Sequence, residues 1–475
     1  MIQEPCAARS IVACLFIAAA VSCTGSSPNA GNLGGSASSS VGASGSNVGG
    51  NGAGGTTSGT LHAGGTAETD SAAGGSAATG GTTSSNGSCI GATFLSSLGK
   101  SSVMIGATMA DATANSAPFD GRYLYLSGGY FDGADPCTSC ATGCTTNGTS
   151  CANTAGCGWW GCWQWDQDPP GQYVANFIST TSGATFNSQA HPQIPMFTYY
   201  EVLQASGASE GAAEVTAMNN QTFLHKYFAD FRLVLQKIGT NRALLHLEPD
   251  FWGYVEQSGS DPHAMAAPVT AANPTDCGSS ENSIAGVARC LIAMVRKYAS
   301  SAKVGLHASG WGTNMDVLSN TSASFDVVGE ATKLGNYLRA LGAADGDFVV
   351  ADMSDRDAGY YQQQGRNSWW DATNATLPNF HQAFTWAKTV SNTVGKPIIW
   401  WQIPVGNMSQ NNTANHFQDN RVDYLFAHLD EVVAANGVGL FFGAGDGQQT
   451  TPETDGGNLV ARVKAYAAAP RSPCP

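Results

Sequence analysis

Eight short apolar runs, spread along most of the chain, limit its possible folds more than any other feature. They cover residues 103–108, 123–127, 194–199, 243–248, 304–308, 348–352, 398–402 and 438–442. Each has the length of a strand and is too short for a buried helix. Between most of them the apolar residues recur at helical spacing. Residues 210–238 place Leu224, Phe228, Phe231 and Leu235 on one face and stop at Gly239. Residues 282–300 do the same with Ile284, Val287, Leu291, Met294 and Tyr298, and residues 420–435 with Val422, Leu425, Phe426, Leu429 and Val433. Such alternation predicts a parallel sheet. Eight strands predict closure into a (β/α)8 barrel. An open doubly wound sheet is the competing arrangement, but no glycine-rich dinucleotide fingerprint follows the first run. The link between the first two runs has barely room for a helix, so the barrel is expected to be irregular at its start.

The residues before the first run are of another kind. Arg9 supplies a weak positive start, and residues 11–21 are an apolar stretch too short to span a bilayer. Residues 1–22 therefore read as an export signal. The stretch ends in AVSC, Ala20 to Cys23, which resembles a bacterial lipoprotein lipobox. That resemblance implies cleavage before Cys23, lipidation of its thiol and a membrane partner through the N-terminal lipid. Thr24 stands where an inner-membrane retention aspartate would be, which implies the outer membrane or cell surface. Residues 24–88 are almost wholly Gly, Ser, Ala, Thr and Asn, with Glu68 and Asp70 as their only charges. They hold too few large apolar groups to offset ordering entropy and are expected to form a disordered linker. As a flexible coil such a linker spans about 45 Å root-mean-square.

Residues 89–475 form the expected barrel domain. They carry ten cysteines, an even count that reads as disulfides in an exported chain. Six lie between Cys137 and Cys162, in an insert at about 131–170. A zinc knuckle is the rival reading of that cluster, although its spacing is irregular. Cys277 and Cys290 are expected to pair locally, within or beside a second insert at about 255–280, and Cys89 and Cys474 to staple the two ends. The net charge of −14 argues against nucleic acid as a partner, because phosphate binding needs a basic surface.

In a barrel of this kind the ends of the strands carry the chemistry. The third run ends at Tyr199, Tyr200 and Glu201. The fourth reads LLHLEPDFWGY and delivers Glu248, Asp250 and Trp252. The fifth delivers His307, Ser309 and Trp311. The sixth delivers Asp352, Asp355 and Asp357, the seventh Trp400, Trp401, Gln402 and Asn407, and the eighth ends near Asp446. Carboxylates among indole rings suit the cleavage of glycosidic bonds. Aromatic faces stack on sugar rings. One carboxylic acid protonates the leaving oxygen, and a second carboxylate attacks the anomeric carbon or activates water. No organic cofactor is needed, no HExxH metal motif occurs, and no G-x-S-x-G nucleophile motif directly follows a strand.

On these residues, Glu248 after the fourth run and Trp400–Trp401–Gln402 at the seventh, the domain resembles a (β/α)8 glycoside hydrolase of a secreted bacterial type. In the large retaining clan an Asn–Glu pair after strand four supplies the acid/base and a glutamate after strand seven the nucleophile. Here Leu247 precedes Glu248, and Gln402 stands at strand seven, where it cannot act as a carboxylate. The sequence therefore points to Glu248 as general acid and Asp352 as nucleophile or base, with Asp250, Asp355, Asp357, Glu201 and Asp446 in reserve. Tyr200, Trp252, His307, Trp311, Trp400, Gln402 and Asn407 are the expected carbohydrate contacts. Trp252 is expected to raise the pKa of the acid, and His246, two residues before Glu248, to orient it. Trp369 and Trp370 read either as a sugar platform or as a plug, and Trp159, Trp160, Trp163 and Trp165 as packing of the cysteine-rich insert. A non-catalytic carbohydrate-binding lipoprotein and a calcium-binding structural surface protein are the rival functions.

Overall fold

The computed structural model describes residues 89–128, 159–162, 170–445 and 448–474. All eight apolar runs are strands: β1 Met104–Ala107, β2 Gly121–Leu126, β3 Ile194–Tyr199, β4 Leu244–Leu247, β5 Lys303–His307, β6 Phe348–Asp352, β7 Ile398–Ile403 and β8 Gly437–Phe442. Each pairs in parallel with the next, and β8 pairs with β1 to close the barrel. The fold is thus the expected (β/α)8 barrel. Its start is tight: only the short helix Asp111–Ala114 fits between β1 and β2.

Two of the helical stretches are broken. Residues 210–238 form Ala212–Ala217 and Gln221–Ile238. The side chain of Asn220 accepts from the N–H groups of Thr222 and Phe223 and so starts the longer helix afresh. Residues 420–435 split into Arg421–Ala427 and Leu429–Ala434 at His428. Helix Ile284–Tyr298 is continuous, with the Ser283 hydroxyl capping Gly286. The second insert contributes the short helices Val269–Ala272 and Pro274–Cys277.

The core has two shells. Inside the barrel lie Met104, Tyr123, Met196, Leu244, Phe348, Val350, Ile399, Trp401 and Phe441. Phe94 of helix Ile90–Ser97 packs against Phe348, the first residue of β6, and so plugs the N-terminal end. Phe348 has space because Gly305 lies beside it; a Cβ there would stand 2.6 Å from the ring. The outer shell fills the gap between strands and helices. Disulfides join Cys89 to Cys474 and Cys277 to Cys290, as the sequence suggested. The signal, Cys23, the linker, most of the cysteine-rich insert with Trp163 and Trp165, and Asp446 lie outside the described residues.

Candidate active site

All strands run the same way, so their C-terminal ends open on one face. Side chains alternate in and out along a strand. On β4 that rule sends Leu244 and His246 inward, and Glu248 should follow them. Glu248 instead has φ 48°, which breaks the alternation. Its side chain turns out of the barrel toward helix Gln221–Ile238, where it is fully buried. The Tyr227 hydroxyl donates to Oε1 at 2.8 Å, the Glu201 N–H to both oxygens at 3.2 Å, and the Val202 N–H to Oε2 at 3.2 Å. Burial pushes this carboxyl up to about 8, against the lowering effect of those donors. The expected general acid is therefore sealed away from the mouth.

Asp250 comes forward in its place. It has φ 67° and ψ −43° at the start of helix Phe251–Ser258, and the Phe251 N–H donates to the Pro249 carbonyl at 2.8 Å. This is a γ-turn of the rare, strained hand. The Asp250 side chain does not cap its own helix. It is half-buried, near enough to Asp355 and Asp352 for their charges to act on it. Burial, then Asp355, Asp352, Glu210 and Glu214, hold its pKa well above the carboxylate range. Apart from glycine and asparagine, the described residues with positive φ are Ser188, Glu248, Asp250, Gln402 and Gln448. Three of these stand at the ends of β4 and β7. Such conformations are strained by about 1–3 kcal/mol each and concentrate at functional sites.

Asp352 is the last residue of β6 and is half-buried, with His307 Nε2 at 3.4 Å from its Oδ1. Asp355 stands open at the rim, and its pKa is pushed up to about 6 by the surrounding protein first and by Asp352 second. Below them lies Trp401, only 4% exposed. It meets His246 edge-on at 4.6 Å and Tyr125 at 5.6 Å between ring centroids. The Tyr125 hydroxyl donates to Gln402 Oε1. To one side Trp311 packs on Tyr254 at 4.7 Å, and the Tyr254 hydroxyl donates to Glu210 at 2.8 Å. Tyr200 is half-buried near Asp250.

The structure thus brings together Asp250, Asp352, Asp355, Tyr200 and Trp311, with His307 and Gln402 buried among them, behind Asp352 and against Tyr125, rather than open to a sugar. It takes others away. Glu201 is buried behind the rim beside Glu248. Asp357 pins loops, accepting from the N–H groups of Gly406 at 2.9 Å and Thr450 at 2.8 Å. Trp252 is 2% exposed, packs on Phe251 and donates to the Leu247 carbonyl, so it is core and not a wall for substrate. Trp400 points outward onto Trp386 and Phe384. Asn407 is occupied by the Asp455 carbonyl and the Ser409 N–H. His246 bonds to His307 rather than orienting Glu248. Trp370 is buried, packing on Phe380 beneath Arg421, and the indoles of Trp159 and Trp160 both donate to buried Asp230. Sequence reasoning missed Trp401, Tyr125, Glu210 and Tyr254 as site residues. Strict alternation from Ile399 would have placed Trp401 inside and Trp400 outside.

No protein-family model matches the sequence, and no curated protein matches it. Among solved structures, it is similar to a modular endo-β-1,4-mannanase of glycoside hydrolase family 26 from Cellulomonas fimi. That match has 12% identity and a TM-score of 0.38 over 80% of this chain and 75% of that one. An endo-β-1,4-mannanase from Thermotoga petrophila matches at 11% identity and TM-score 0.40, over 78% and 77% of the two chains. A GH5-4 broad-specificity endoglucanase from an uncultured bacterium matches at 12% and 0.36, over 75% and 83%. Likenesses this shallow carry no argument about chemistry; what defines this chain is a closed (β/α)8 barrel with three aspartates gathered at one mouth.

Proposed function

We propose that this protein is a glycoside hydrolase that cleaves a polysaccharide or oligosaccharide through paired carboxylates. Asp250 is the general acid, and Asp352 is the nucleophile or base. Burial first, and the like charge of Asp355 second, keep Asp250 protonated. Trp311, Tyr254 and Tyr200 offer ring faces and hydroxyls for a sugar. The observation that carries this reading is the strained turn at Asp250, which spends backbone energy to hold a carboxyl within reach of the Asp352 and Asp355 charges instead of capping a helix.

The test is release of new reducing ends from a panel of neutral polysaccharides by the purified protein, with Asp352→Asn as control. Turnover that disappears in the variant supports the proposal. Binding without release in both proteins would point to a carbohydrate-binding lipoprotein, and loss of thermal stability in chelator to a calcium-binding surface protein. The signal and the AVSC sequence support tethering at the outer membrane or cell surface. Labelling of the chain by radioactive palmitate, abolished in Cys23→Ala, is the expected result; equal labelling of both would reject the anchor.

A further inference from the structure

A line of polar side chains climbs through the inside of the barrel to Asp352. Thr198 on β3 is the register partner of His246 on β4. His246 pairs in turn with Gly305 on β5, and the next inward position of β5 is His307. His307 pairs with Val350 on β6, and the next inward position there is Asp352. The stagger of a closed barrel thus raises the inward positions toward the mouth from strand to strand. Thr198 Oγ1 lies 3.3 Å from His246 Nδ1, His246 Nε2 lies 3.0 Å from His307 Nδ1, and His307 Nε2 lies 3.4 Å from Asp352 Oδ1. The last contact is loose, as catalytic hydrogen bonds often are before substrate arrives. The two imidazoles stack at 5.1 Å, and Trp401 meets both edge-on.

Proton counting gives this line a direction. His246 is enclosed, and burial together with His307 holds its pKa well below the usual histidine range. It is therefore neutral and has a single N–H. When the Thr198 hydroxyl donates to Nδ1, that proton sits on Nε2 and points at His307 Nδ1. His307 Nδ1 must then accept, so a neutral His307 carries its own proton on Nε2, toward Asp352. Every donor meets an acceptor, and the chain ends on the Asp352 carboxylate. The reverse order would leave a neutral His307 presenting a lone pair to the lone pairs of that carboxylate. The hydrogen bond at one imidazole nitrogen fixes which nitrogen carries the proton.

We propose that His307 is a positioning residue for Asp352, holding the carboxylate in place at the mouth, and that His246 anchored on Thr198 fixes the tautomer of His307. This deepens the glycosidase reading and rests on it for the role of Asp352. His307→Phe keeps a ring but removes both nitrogens. It should lower kcat by roughly 10–100-fold, the range typical of residues that support a reacting group from behind, and leave KM within about twofold. His307→Gln, whose amide can donate from near the same place, should restore most of the loss. In an Asp352→Asn background His307→Phe should add less than about twofold, because residues acting as a unit are not additive. Equal losses in the Phe and Gln variants, or multiplying losses in the double variant, overturn the proposal.

A second arm needs no turnover. Long-range proton–nitrogen spectra of protein labelled with nitrogen-15 histidine should show a proton on Nε2 of both His246 and His307. Asp352→Asn should move the His307 signals and Asp250→Asn should not. A proton on Nδ1 of His307, or signals indifferent to Asp352→Asn, overturns the proposal. A wild type inert on every polysaccharide would reject the glycosidase reading alone, and the spectra would still decide what His307 does.

Discussion

Asp250→Asn is expected to lower kcat on a polysaccharide by roughly 10³-fold, inside the ~10²–10⁴ that a positioned general acid supplies. Binding should survive, because Trp311, Tyr254 and Tyr200 are untouched. The fold should survive too: asparagine tolerates positive φ at least as well as aspartate, and the Asp250 side chain caps nothing that would be lost. The size of the loss should depend on the leaving group. A sugar alcohol leaves only with a proton, whereas an activated phenol can leave without one. The variant should therefore hydrolyse an activated aryl glycoside far closer to the wild-type rate. Steady-state kinetics on both substrate types, with binding measured separately by calorimetry, checks this. Equal losses on the two substrates would remove Asp250 from the acid role and return the question to Asp352 and Asp355.

The barrel was legible because its signal is redundant. Eight apolar runs of strand length, separated by helical faces, leave few ways to bury so much surface, and even the tight first link was visible from its length. The inner and outer faces were half legible. Alternation along β4 and β5 sends His246 and His307 inward, an inference the sequence reading did not draw, but their contact depends on how far adjacent strands are staggered, which a sequence does not state. Trp400 was preferred to Trp401 although alternation along β7 separates them cleanly. Trp252 misled for a different reason. It lies in the first turn of helix Phe251–Ser258, where it and Phe251 face the core rather than the strand end. Glu248 and Asp250 changed places because both take positive φ without being glycine or asparagine. Nothing in LEPDFW marks such a conformation. The surrounding structure imposes it, and for that reason the site is where reading from sequence fell short.

Glu248→Gln separates the two aspects of that exchange, since a sealed carboxyl affects stability and a catalytic one affects turnover. Glu248 ionises near 4.5 in an unfolded chain and near 8 in the fold, raised by burial. Below pH 4.5 the group is protonated in both states and its burial is harmless. As pH rises toward 8 the unfolded chain gains the charge freely while the fold resists it, so the wild type loses ~1.4 kcal/mol per pH unit from this residue. Above pH 8 the loss levels off on the order of 5 kcal/mol. Glutamine titrates in neither state, and its amide can still accept from the Glu201 and Val202 N–H groups. The variant should match the wild type in thermal unfolding at pH 4 and melt several degrees higher at pH 8.5. Its kcat should stay within about threefold of wild type, against the ~10³-fold loss that a general acid would show. Calorimetric melting curves across that pH range, set beside turnover on one polysaccharide, decide the matter. A variant that is dead yet no more stable in alkali would put Glu248 back at the mouth and oblige the β4 turn to open in solution.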